Sequence, residues 1–142
     1  MKILVLNCGS SSVKYQLVEM LYERLICKGI IEKIGSEDAI VRYHPTGKAE
    51  QREIRPISDH SEAIHAVLAA LLDPETGVIH DESEIAAVGH RTVHGGESFS
   101  SSVRIDDEVI QTIRDCSDFA PLHNPANLKG IEVCRELLPD SP

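Results

Sequence analysis

Residues 7–16 read NCGSSSVKYQ, with one glycine and three serines between two apolar runs and Lys14 just beyond them. Serine and glycine are ordinary turn residues. Several N–H and O–H donors gathered in one turn also make a concavity that suits a phosphoryl group or a hydrated Mg²⁺. Asn7 stands at a strand end, where its amide oxygen could face a metal or its water, and Lys14 could meet a phosphate as a point charge. The stretch is not a P-loop, because G-x-x-x-x-G-K-[ST] is absent and no helix follows the turn. A plain hairpin turn with a solvated lysine accounts for the same residues.

Two further stretches carry chemistry. GHRTVHGGES, residues 89–98, follows a short apolar strand, and strand ends in α/β sheets are where ligands bind. Arg91 could hold a carboxylate or phosphate bidentately, and Gly95 and Gly96 would let backbone approach a ligand. The alternative is a turn with a solvated arginine. His90 and His94 lack the Glu of HExxH and a helical context, which argues against zinc. HGG without a G-x-S-x-G elbow argues against a hydrolase. In APLHNPANLKG, residues 120–130, His123 precedes Asn124 as N-cap and Pro125 at N1. Free N–H groups at that helix start attract anions and disfavour imidazolium, so His123 reads as a neutral donor. A helix-entry loop with a surface histidine is the competing account.

These stretches need elements to position them. Lys2–Leu6 is a nearly all-apolar run, expected as a buried central strand. Val13–Val18 alternates as a second strand and Glu23–Ile34 forms a third, with Gly29 as a bulge. Residues 39–44 and 48–54 flank PTG as a hairpin. The period then changes: Ile64, Val67, Leu68 and Leu71 share a helix face, capped by Ser58, Asp59 or Ser61. Ile85–Val88 is another strand. A helix from Asp106 or Asp107 to about Cys116 turns Val109, Ile113 and Cys116 inward, and a last one turns Leu128, Ile131, Cys134 and Leu138 inward. The order β-β-β, hairpin, α, β, α, α predicts a mixed α/β layer protein.

The chain has 142 residues, the size of one domain with one core. Its net charge of −9 argues against nucleic acid and anionic membranes as partners. An anionic ligand must therefore be held by local positive groups against the global field. Cys8, Cys27, Cys116 and Cys134 show no CxxC spacing and read as reduced thiols of a cytoplasmic protein. No signal peptide or membrane span is legible. The final LPDSP closes a helix where another strand would be expected, so the chain reads as a piece of a longer protein.

Taken together and in this order, NCGSSSVKYQL, GHRTVHGGESFS and APLHNPANLKGI closely resemble the acetate kinase family, which includes propionate and butyrate kinases. The resemblance runs over essentially the whole chain. It implies the ribonuclease-H-like fold of the actin-like ATPase superfamily, an antiparallel meander followed by α-β-α. It also implies ATP-dependent phosphorylation of acetate to acetyl phosphate, reversibly, with Mg²⁺. Residue by residue, it places Asn7 near Mg²⁺ and Ser10, Ser12 and Lys14 near the transferring phosphate. Arg91 would hold acetate and the migrating phosphoryl group, with His123 beside them, and Val93 and Leu122 would line the pocket for the acetate methyl. Residues 1–142 would be an incomplete N-terminal domain. Family members carry a catalytic Asp on the next strand. Their second domain supplies a His, an Arg, a Glu for Mg²⁺, most of the adenosine site and the homodimer contact. The chain alone is therefore expected to be inactive, with an open sheet edge.

Overall fold

The computed structural model describes residues 1–91, 102–115 and 124–142, the side chain of Asn124 excepted. Six strands form one sheet: β1 (Lys2–Cys8), β2 (Val13–Glu19), β3 (Arg24–Glu32), β4 (Ala39–Pro45), β5 (Gln51–Arg55) and β6 (Ile85–His90). Three α-helices accompany the sheet among the described residues: α1 (His60–Leu72), α2 (Asp107–Asp115) and α3 (Asn124–Leu137). The sheet order is β5-β4-β3-β2-β1-β6, antiparallel throughout except for β1 with β6, which are parallel. The expected mixed sheet, meander first and α-β-α after, is what the chain forms.

Each element follows from its pattern. In β2, Val13, Tyr15 and Leu17 are buried while Lys14 and Gln16 are exposed. Leu4, Leu6 and Cys8 of β1 lie on that same inner face, against which α1 and α3 pack. Fully burying each large aliphatic side chain contributes roughly 1.5–3 kcal/mol. β1 is central, as its apolar run predicts, but only one of its faces is closed among the described residues: Val5 remains 39% exposed. The inward helix residues are as the period predicts: Ile64, Val67, Leu68 and Leu71 of α1, and Leu128, Ile131, Cys134 and Leu138 at α3, are all buried. α3 also serves a second cluster, in which its Leu128 and Ile131 meet Val109, Ile110 and Ile113 of α2. Cys116, expected inward on α2, lies outside the described residues.

The caps are specific. Of three candidates at α1, Asp59 is the N-cap, accepting from the Glu62 N–H at 2.8 Å. Asp106 caps α2 through the Val109 N–H at 2.9 Å. In the β4–β5 turn, Gly47 sits at φ +81°, a conformation that side chains disfavour.

Gly29 is not a bulge. The irregularity between β2 and β3 falls where Leu17 faces Cys27 and Val18 faces Leu25, so Ile26 is the extra residue. Gly29 instead faces Tyr15 in register, and a Cβ there would come within 2.4 Å of the Tyr15 ring and 2.5 Å of the Arg42 carbonyl oxygen. Its role is close approach. An unpredicted 3₁₀ turn, Glu82–Glu84, precedes β6. Its Glu84 accepts from the Lys2 ammonium at 2.7 Å, tying the start of β6 to that of β1. β6 lies at the sheet's edge, where its Val88 N–H donates to the Pro142 carbonyl at 2.8 Å.

Candidate functional site

Asn7 and Lys14 are direct partners across β1 and β2. Antiparallel partners share a face, and strand alternation puts these two opposite Leu6, Cys8, Val13 and Tyr15, away from the helices. Asn7 is half-buried and Lys14 exposed. β6 runs parallel to β1, so both strands deliver their C-terminal ends to the same side of the sheet. Arg91, one residue beyond β6, donates its N–H to the Leu6 carbonyl at 3.0 Å and is exposed. The structure therefore brings Asn7, Lys14, Arg91 and the serine turn to one end of the central strands. Neither Lys14 nor Arg91 forms an ion pair among the described residues. In a chain of net charge −9, two cations with no counterion among the described residues are a local exception to the acidic field, of the kind that attracts anions.

The turn between β1 and β2 closes on itself and is pinned from outside. Its Gly9 N–H donates to the Ser12 carbonyl at 2.8 Å, and the Ile34 N–H donates to the Ser11 carbonyl at 3.0 Å. Asn127, only 2% exposed on α3, donates from Nδ2 to the Cys8 carbonyl at 2.7 Å. The His60 ring, at the start of α1, donates from Nε2 to the Gly9 carbonyl at 2.6 Å. Ser10 and Ser11 are exposed and Ser12 is half-buried, and their hydroxyls have no hydrogen-bond partner among the described residues. The turn thus spends backbone carbonyls on its own support, while its hydroxyls stay unbonded among the described residues.

Burial sets the titration behaviour nearby. His90 pairs in register with Leu6, on the helix-facing side, and desolvation pushes its imidazole down to about 4. It is neutral at physiological pH. Burial pushes the thiols of Cys8 and Cys27 up to about 11 and that of Cys134 up to about 12. These are inert core groups, as sulfur in an apolar setting should be.

Val93, Leu122 and His123 lie outside the described residues, as do His94, Gly95 and Gly96. The described residues contain no group of three or more His, Cys, Asp or Glu side chains able to hold a metal ion. The oxygens they offer at this end of the sheet are the neutral amide of Asn7 and the serine hydroxyls. Such a donor set fits Mg²⁺, which keeps several waters and is bound largely through substrate phosphates. His60 and Asn127 were not legible as site residues from the sequence. Asn127 sits inside the helix-start stretch, where pattern reading assigns it only to a helix. No local signal marks His60, because its partner is 51 residues away.

The sheet order, with its parallel β1–β6 pair ending beside a hydroxyl-rich turn, defines the actin-like ATPase class of fold. A crystal structure of acetate kinase from Porphyromonas gingivalis superposes with a TM-score of 0.93 at 45% identity, covering 97% of this chain and 35% of that one. A crystal structure of a propionate kinase from Francisella tularensis superposes with a TM-score of 0.88 at 33% identity, covering 99% and 35%. Acetate kinase of Clostridium botulinum (strain 657 / Type Ba4) is 56% identical over all 142 residues, which amount to 36% of that relative. Residues 2–142 match the Acetokinase family. The chain belongs to the acetokinase family and spans about a third of the length of the relatives it matches.

Proposed function

We propose that this chain forms the N-terminal, acetate-side part of an acetate kinase, which transfers the γ-phosphoryl group of ATP to acetate and runs in reverse. The observation that carries the reading is the convergence of Lys14, Asn7, Arg91 and the serine turn at one end of the sheet, with both cations unpaired among the described residues. An acetate oxygen bonds to the γ-phosphorus as the bond from that phosphorus to the β–γ bridging oxygen breaks, and ADP leaves with the electron pair. Acetate is ionised at neutral pH, so no base need deprotonate it. The difficulty is repulsion: two unit charges about 4 Å apart cost roughly 4 kcal/mol at an effective dielectric near 20.

Lys14 and Arg91 offset that repulsion. Ser10 and Ser12 donate to the phosphate, and Arg91 orients the carboxylate through its planar fork. His123 stands as a neutral donor beside them, and Val93 and Leu122 receive the methyl group. Asn7 would hold the Mg²⁺ or one of its waters, and that ion would supply positive charge to the phosphate oxygens. The cytoplasm is the compartment this chemistry fits, and no described helix is long and apolar enough to cross a membrane. The working enzyme is a homodimer, and the 142-residue chain by itself does not turn over.

The test is a chimera in which this chain replaces the matching segment of the Clostridium botulinum relative, assayed with MgATP by trapping acyl phosphate with hydroxylamine. Turnover led by acetate is expected, and Arg91→Ala should lower it on the order of 10³-fold or more. A loss of tenfold or less removes that role from Arg91. A second reading, propionate kinase, is favoured by the Francisella tularensis structure. One methylene in an apolar pocket is worth about 1–3 kcal/mol, so a lead for propionate in the same assay would change the substrate and keep the mechanism. No turnover with any acid would favour a nucleotide-binding module on this fold.

A further inference from the structure

Among the described residues, two side chains reach the phosphate turn from the helical layer, at consecutive carbonyls. Asn127 of α3 holds the Cys8 carbonyl at 2.7 Å, and His60 of α1 holds the Gly9 carbonyl at 2.6 Å. The peptide bonds here are trans, so each carbonyl points opposite to the N–H of the next residue in the same plane. Holding the Cys8 oxygen therefore directs the Gly9 N–H, which closes the turn on Ser12. Holding the Gly9 oxygen directs the Ser10 N–H away from α1, and Ser10 itself is exposed.

We propose that His60 and Asn127 are positioning residues of the phosphate turn: from two different helices they set the two peptide planes that aim the Ser10 N–H and the hydroxyls of Ser10 and Ser12 at the transferring phosphoryl group. The proposal rests on the kinase reading for its catalytic consequence, and on the geometry alone for the placement of the turn. A carbonyl can only accept, so His60 must carry its proton on Nε2 and Asn127 must present its amide nitrogen. Donors aimed at developing charge lose their effect when displaced, and a shift near 1 Å can cost about 10²-fold in rate.

The kinetic test uses the same chimera. His60→Ala and Asn127→Ala are each expected to lower kcat roughly tenfold to 10²-fold and to raise KM for MgATP, while KM for acetate stays within about twofold. His60→Gln returns a side-chain N–H donor to the Gly9 carbonyl and should recover most of the loss. A residue that merely supports the fold would lower thermal stability and leave the kinetic constants of the folded fraction unchanged. Unchanged kcat and KM in both alanine variants, or no recovery with glutamine, overturns the proposal.

The spectroscopic test does not depend on turnover. Ring ¹⁵N spectra of the chimera should show His60 as the Nε2–H tautomer. The amide resonances of residues 9–12 should move in both alanine variants, while those of β3 and β4 stay in place. An Nδ1–H tautomer, or turn amides unmoved by either substitution, overturns the positioning. If the unsubstituted chimera is inactive while these shifts appear, the kinase reading fails and the placement of the turn stands.

Discussion

His90 shows how one residue's surroundings decide its chemistry. It lies one position before Arg91, and its imidazole is pushed down to about 4 by burial, against an ordinary value of 6.5. Between those values the unfolded chain binds a proton that the folded chain refuses. The contribution is therefore fully present above pH 6.5, is lost as pH falls toward 4, and does not change further below. His90→Gln should flatten the dependence of stability on pH in that window, measured by urea unfolding. The His90 ring protons should titrate with a midpoint near 4, and a midpoint of 6 or above would show the ring to be solvated. Arg91 beside it was legible as a candidate from its type and its place after an apolar strand. His60 was not legible, because a contact between side chain and distant backbone leaves no periodic trace in sequence.

At the level of elements, glycine has two uses in a strand, and pattern alone does not separate them. It can break the ladder as a bulge, or it can make room. Gly29 makes room for the Tyr15 ring and the Arg42 carbonyl. Gly29→Ala should destabilise the protein by about 1–3 kcal/mol, since the added methyl overpacks against backbone as well as a ring. Chemical denaturation would read this as a lower midpoint at unchanged slope. A neutral substitution would mean that the Tyr15 ring can turn aside. The true bulge residue, Ile26, is apolar and β-branched and so reads as an ordinary strand residue. Helix faces were more legible because their spacing reports burial directly: Ile64, Val67, Leu68 and Leu71 are buried as one stripe. The N-cap was narrowed only to three candidates, because Ser58, Asp59 and Ser61 offer the same kind of oxygen. The choice depends on which one meets the Glu62 N–H.

Across the whole molecule, the sheet and the helices divide the work. The inner face carries the core, and the far end of β1, β2 and β6 gathers Asn7, Lys14 and Arg91 beside the serine turn. Order of elements and inner face were both legible, because alternation and helical period are consequences of burial. The parallel pairing of β6 with β1 was not, since register between distant strands is a tertiary property.

That arrangement also bears on the order in which the molecule assembles. The β1–β2 hairpin is local and closes cheaply, but its turn is supported by His60 from 51 residues away and by Asn127 from 119 residues away. Closing loops of that length carries an entropic cost that grows with their size, and is met only when both helices dock. The hairpin should thus form early and stay pliant, with the cradle acquiring its final shape at the close of folding. Pulsed hydrogen exchange during refolding should find the amides of residues 14–18 protected before those of residues 9–12. If the turn binds phosphate as proposed, its late completion works as a checkpoint: a chain that has not finished folding would not yet hold nucleotide.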